Sequence, residues 1–251
     1  MAWPGAAAVV FLVALLPLAL PWVARADGTG VPVIARFSGA SPGEALPAGW
    51  RDAFLSRTAR RTRYRIVDDA GISLLQADSD GTMSGVSHTV RAVPLPGLRL
   101  SWRWRISGAP RGARFGERDR DDFAARVYVL FDYDLSRLPW LERAKVRVAR
   151  SLYGEAVPAA ALCYVWDPDS AREAAAWSPF TDRVRVIVAT SGAPTSDGWV
   201  AVSRDIVRDY LAAFGEPVPP VTGVVLATDT DNTGSRVTAW YGDLVFSPAR
   251  P

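Results

Sequence analysis

A chain of 251 residues contains one cysteine, one histidine, two methionines and a single lysine, and each scarcity removes a kind of chemistry. Cys163 alone closes no internal disulfide, so stability rests on the core. His88 alone cannot supply the imidazoles of a zinc site. Any Ser-His-Asp triad would have to use it, and the one G-x-S-x-G string, Gly39-Ala40-Ser41-Pro42-Gly43, sits in a Pro- and Gly-rich loop with no helical pattern after it, so no nucleophile elbow presents a serine. His88 therefore reads as a structural strand residue. Cys163 reads as a small buried hydrophobe, far from the exposed thiolate a nucleophile needs. No glycine-rich loop precedes a helix to cradle phosphate, so no nucleotide is expected. Lys145 is the only lysine, and the arginines are scattered among 26 acidic residues without a basic block, so no nucleic-acid partner is expected either. No repeat and no long linker divides the chain.

Long apolar runs are also lacking, with one exception. Residues 6–20 are continuously apolar, Pro21 ends the run, and Ala24-Arg25-Ala26 forms a small-x-small site. The run is short of the roughly 20 residues that span a bilayer. The expectation is a signal peptide over 1–26, a single domain over 27–251, and a periplasmic or secreted product. No Lys or Arg precedes the run, and the rival reading is a retained anchor.

What the chain does have is alternation. Half the residues are hydrophobic, enough for a sizeable core. Over 98–106, Leu98, Leu100, Trp102, Trp104 and Ile106 fall on one side of a strand and Arg99, Ser101, Arg103 and Arg105 on the other. Over 122–131, Phe123, Ala125, Val127, Val129 and Phe131 oppose Asp122, Ala124, Arg126, Tyr128 and Leu130. These two stretches read as central strands of one sheet. Further strands are predicted over 33–37, 83–93, 160–166, 183–189, 199–203, 221–228 and 237–246, with a hairpin of 62–67 and 72–77 around Asp68-Asp69-Ala70-Gly71. In 183–189 the valines are expected inward and Arg183 and Arg185 outward. Helical spacing marks 205–214, ended by Gly215, and 138–153, where Leu141, Ala144, Val148 and Leu152 repeat among basic residues. Such a helix can lie weakly on a membrane surface, and the expectation here is a crossover helix packed on the sheet. Short strands between Gly, Pro and Asp turns predict an all-β, two-sheet antiparallel β-sandwich, a jelly roll with one or two short helices, its first and last strands pairing near an edge.

One polar sheet face is the expected site: Arg103, Arg105, Asp122, Arg126, Tyr128, Tyr164, Trp166, Arg183 and Arg185. Flat aromatic rings and charged forks suit a glycan or another polar ligand. The competing reading is an internal ion-pair network that only holds the sheet. Asp229, Asp231 and Asn232 cluster oxygen ligands suited to a structural calcium ion, although Thr233 and Trp240 stand where an EF-hand places ligands. An Asx-type turn explains the same loop, and no other cofactor is expected.

Trp102-Arg103-Trp104, Asp121-Asp122-Phe123 with Arg126-Val127-Tyr128, Tyr164-Val165-Trp166, Arg204-Asp205 with Asp209-Tyr210, and Thr228 through Thr233 followed by Tyr241-Gly242-Asp243 together resemble the exported bacterial domain-of-unknown-function family 3047. The resemblance implies one exported domain and assigns no catalytic residue. The layout is also similar to carbohydrate-binding jelly-roll modules, a likeness of fold alone.

Three functions follow: a glycan-binding envelope module, an enzyme on acidic polysaccharides, or a structural envelope protein. Elimination would draw on Arg103, Arg126, Tyr128 and His88. Hydrolysis would pair Asp122 with Asp205 or Asp209.

Overall fold

The computed structural model describes residues 32–53, 60–153, 159–194 and 198–248, of which 149–153 are described by their backbone alone. The leader expected over 1–26 lies outside the described residues. No described helix is long and apolar enough to cross a membrane.

The chain forms a two-sheet jelly-roll β-sandwich. The seven-stranded sheet runs β1 (Trp50–Ala53), β4 (Met83–Ala92), β11 (Val221–Asp229), β6 (Arg126–Phe131), β7 (Ala161–Asp167), β9 (Thr181–Ser191), β8 (Ala175–Ser178). The six-stranded sheet runs β10 (Val200–Asp205), β5 (Arg99–Ile106), β12 (Arg236–Tyr241), β3 (Ile72–Asp80), β2 (Arg63–Asp69), with β13 (Val245–Ser247) also pairing β5. Pairings are antiparallel except β7 with β9, which run parallel.

The two alternating stretches do become strands, but in different sheets. Residues 107–125 carry the chain from β5 across to β6 instead of turning back as a hairpin. Each strand turns its apolar side to the shared core, so their polar sides face away from each other. Across that core Trp102 packs on Tyr164 with ring centroids 5.5 Å apart, and Trp104 on Trp166 at 6.1 Å. The Trp104 indole N–H donates to Thr190 Oγ1 at 3.0 Å, tying β5 to β9.

The hairpin β2–β3 turns through Ala70 and Gly71, both left-handed at φ 54° and 84°, as a two-residue loop requires. β12 and β13 are one expected strand broken at Gly242–Leu244. Residues 33–37 form no strand. Ile34 and Phe37 are buried there, and side chains replace a ladder: the Trp50 indole N–H donates to Ala35 O at 2.9 Å, and His88 Nε2 accepts from Ala35 N at 3.4 Å. First and last strands do not pair, since β1 joins β4 and β13 joins β5.

Helix α2 (Ile206–Phe214) starts on an Asp205 cap and ends on left-handed Gly215 at φ 65°, as the spacing predicts. Ile206 and Tyr210 enter the core. Helix α1 (Trp140–Tyr153) holds the core only through Val146 among its described side chains, and Trp140, Leu141 and Val148 lie exposed. The expected packed crossover is thus a light contact.

A smaller apolar cluster, Phe123, Cys163, Val165, Val186 and Val188, lies on the outer side of the seven-stranded sheet, with Phe115 and Tyr128 packed on it. The expected sidedness of β9 is reversed. Val184, Val186 and Val188 meet this outer cluster, while Ile187 and Ala189 face the main core.

Trp104→Ala is expected to cost about 3–5 kcal/mol, the usual range for an aromatic deleted from a packed core. Urea denaturation at pH 7 measures it.

Candidate functional site

The outer face of the six-stranded sheet is built by strict alternation. In β5 the residues Leu100, Trp102, Trp104 and Ile106 are buried, which leaves Arg99, Ser101, Arg103 and Arg105 outward. In β12, Val237, Ala239 and Tyr241 are buried, which leaves Thr238 and Trp240 outward. Register aligns Arg65, Gln76, Trp240 and Arg105 in one row across four strands. Trp199, just before β10, extends that row.

The row is held by named contacts. The Arg105 guanidinium lies 5.0 Å from the Trp199 ring centroid and 4.4 Å from that of Trp240. Arg103 lies 4.6 Å from the Trp199 ring. The Trp240 indole N–H donates to Gln76 Oε1 at 3.1 Å. Gln76 in turn donates to Asp78, which accepts from Thr238 Oγ1 at 2.9 Å and meets Arg65 at 3.3 Å. Two half-buried indoles are therefore presented at fixed positions on either side of a guanidinium. With strands about 4.8 Å apart, they stand roughly 10 Å from each other.

Beside the row opens a cleft of about 1060 Å³, lined by Arg99, Ser101, Arg103, Ser203, Asp205 and Asp243 among others. It sits where β5 changes neighbour from β12 to β13 around Gly242. Arg99 donates to Ser203 through Nε at 2.9 Å and Nη2 at 2.8 Å. Asp243 accepts from the Ser38 backbone N–H at 3.0 Å and from its hydroxyl at 2.6 Å. Asp205 accepts from Arg208 N at 2.9 Å as the cap of α2.

Of the nine residues expected on one face, only Arg103 and Arg105 lie here. Tyr164 and Trp166 are buried between the sheets, where Tyr164 donates to Asp209 Oδ2 at 2.8 Å and Trp166 to Gly192 O at 2.9 Å. Arg183 and Arg185 share the core side of β9 at its open end. Arg183 stacks 4.2 Å from the Tyr133 ring and donates to Ala159 O at 2.7 Å, and Arg185 lies 5.1 Å from the Trp177 ring.

Asp122, Arg126 and Tyr128 belong to the far side of the seven-stranded sheet. Arg126 is buried and grips Asp229 with both fork positions, Nε to Oδ1 at 2.8 Å and Nη2 to Oδ2 at 2.6 Å. Its Nη2 also donates to the backbone oxygen and the carboxylate of Asp121. Asp122 accepts from Asn232 N at 3.3 Å and Thr233 N at 2.7 Å, pinning the turn after β11. Burial pushes the Asp229 carboxyl up to about 6, against the pull of Arg126. The carboxylates of Asp122, Asp229 and Asp231 have ligand atoms within 4.8 Å of one another, a group that shares Asp229 and Asp231 with the expected calcium set but has Asp122 in place of Asn232. Asn232 contributes a backbone donor there, and the Arg126 guanidinium supplies positive charge from within.

The parts proposed for catalysis are not assembled. Arg126 and Tyr128 point away from Arg103, and His88 packs against Trp50 at 5.3 Å on the other sheet. Asp209 is taken by Arg204 at 2.8 Å and by Tyr164. Sequence reasoning missed Trp199, Trp240, Arg99 and Ser203. The alternation of residues 236–241 already placed Trp240 opposite Val237, Ala239 and Tyr241.

Fold and site thus define a single β-sandwich whose one outer face is aromatic, cationic and open. The sequence profile described as "Protein of unknown function (DUF3047)" matches residues 48–245, and the chain belongs to that family. Among curated proteins none matches it in sequence. Among solved structures it is similar to the xyloglucanase domain of NopAA, a type three effector from Sinorhizobium fredii solved with cellobiose, at 10% identity and TM-score 0.42, covering 83% of this chain and 98% of that one. A Stig cyclase from Fischerella sp. TAU shares 14% identity at TM-score 0.38, covering 88% and 98%. The Endo-D glycoside hydrolase domain from Streptococcus pneumoniae R6 gives 11% and 0.36, and this chain spans 79% of its own length but 21% of that domain.

Arg126→Met leaves Asp121 and Asp229 buried without their cation, so both carboxyls rise further. A raised folded-state value contributes stability at low pH that is lost as pH climbs through it; for wild-type Asp229 that window runs from 3.8 to about 6. In the variant the window extends upward. Urea denaturation is expected to show a deficit larger at pH 8 than at pH 5, reaching about 3–5 kcal/mol at pH 8, with Asp229→Asn added in a double variant flattening the pH dependence.

Proposed function

We propose that the chain is an exported glycan-binding module and that the outer face of the six-stranded sheet is its binding surface. The observation that carries this reading is the Trp199–Arg105–Trp240 row beside the cleft. Indole faces held by guanidinium stacking offer flat apolar area to the C–H faces of sugar rings. The serines and Arg99 along the cleft supply donors and acceptors for hydroxyls. The expected export over residues 1–26 would bring this face to polysaccharides of the cell envelope or its surroundings.

Binding is favoured over cleavage by how the cleft's carboxylates are used. Asp205 caps helix α2 through one hydrogen bond from Arg208 N, and Asp243 holds the Ser38 turn through two.

Trp199→Ala and Trp240→Ala are each expected to weaken binding about tenfold or more, the loss typical of an aromatic anchor. A glycan array followed by isothermal titration calorimetry measures this, with far-ultraviolet circular dichroism as the folding control. Unchanged affinity in both folded variants would refute the surface assignment.

A further inference from the structure

We infer that the glycan is acidic: Arg103 receives a carboxylate or sulfate on the sugar, and Gly242 is the residue that positions it. The inference rests on the glycan reading above and adds the chemical class of the ligand.

The arginines of this face differ in how much of their hydrogen-bonding capacity is spent. Arg63 is held by Glu44 at 2.6 Å, Arg65 by Asp78 at 3.3 Å and Arg105 by Asp69 at 3.5 Å. Arg99 spends two N–H groups on Ser203. Arg103 has neither a hydrogen bond nor an ion pair from its guanidinium among the described residues, and its one side-chain partner is the Trp199 ring. Asp205 and Asp243, carboxylates of the same cleft, accept from other groups and form no ion pair with it among the described residues. A planar guanidinium with its fork unspent, half-buried and braced on an indole, is preorganised for a two-oxygen anion. Bracing removes rotamer freedom before the ligand arrives, so little more is lost on binding.

Gly242 explains why the fork points where it does. A Cβ at this position would fall 2.6 Å from Arg103 Cγ, 2.9 Å from Nε and 3.3 Å from Cδ. The stem of Arg103 therefore lies across the space where a side chain would be. The near end of the stem, Cγ, is the atom that blocks, so a methyl group forces the whole side chain to turn. Gly242 is not among the left-handed glycines, so alanine meets no backbone penalty there. Its effect is expected on Arg103 alone.

The test is the ratio of affinities for an acidic and a neutral oligosaccharide, by calorimetry at low salt and at 0.5 M sodium chloride. The probes are an oligogalacturonate, a sulfated oligosaccharide and a neutral cello-oligosaccharide. Wild type is expected to prefer at least one acidic probe by about tenfold, the worth of one charge-assisted contact, and to lose most of that preference in high salt. Arg103→Gln and Gly242→Ala are both expected to bring the ratio to about one, and Arg103→Lys to restore the salt-dependent part. The uronate and sulfate arms tell which oxyanion is meant. Equal binding of acidic and neutral probes by wild type, or a preference that survives Arg103→Gln, overturns the inference while the glycan reading stands. A preference lost in Arg103→Gln but kept in Gly242→Ala overturns the role of Gly242. No binding of any probe overturns the glycan reading itself.

Discussion

The contact of Trp102 and Trp104 with Tyr164 and Trp166 across the sandwich is the interaction on which the rest depends. Four large rings from two sheets fill one interior, so each strand that contributes to it must turn its remaining residues outward. The outward sets of the two sheets point in opposite directions and meet different fates. One is roofed by residues 107–125 and becomes a second, smaller core around Phe123 and Cys163. The other stays open and keeps its tryptophans and arginines at the surface. The same alternation thus produces a closed back and an open front.

Much of this was legible in the sequence. The period of two correctly divided residues 98–106 and 126–131 into a core side and an outer side, and the capping residues located α2; over 122–125 it failed, since Phe123, expected beside Val127, packs in the outer cluster while Ala124 and Ala125 both enter the core. What the pattern could not carry was the sheet to which each strand belongs. Two strands that face each other across a core have the same alternation as two that lie side by side, because period reports sidedness and not neighbours. Placing Arg126 beside Arg103 followed from that ambiguity. Tyr164 and Trp166 were misplaced for a related reason: β7 is buried on both sides, so its polar-tipped aromatics had no exposed face to mark. Asp209 gives the Tyr164 hydroxyl its partner, and that contact spans 45 residues of sequence.

The Arg126 cluster shows the opposite use of charge. An arginine on a strand reads as surface from sequence, yet here it is enclosed with Asp121 and Asp229 in an end of the sandwich already crowded with hydroxyls. Thr62, Ser79, Thr82 and Thr230 bond one another there, and Thr62 also donates to Thr228 O at 2.8 Å. Buried ionic groups of this kind persist when every lone pair and proton is answered. Arg126 spends Nε and Nη2 on Asp121 and Asp229 and lies 4.5 Å from the Phe123 ring, whereas the Arg103 guanidinium makes no hydrogen bond or ion pair among the described residues. The contrast between two arginines of the same chain separates a strut from the proposed receptor.

Lysine is so scarce that Lys145 becomes a unique address. It projects from α1, 63% exposed at its side chain, and pairs with Glu142 at 2.7 Å. Apart from the chain's own amino terminus, it is the one amine in the sequence. The α-amine, with the lower pKa, reacts first at neutral pH, so once it is blocked, amine-directed coupling attaches a dye or a solid support at α1 alone. A chip-bound molecule would then hang from one tether, its point of attachment set by composition.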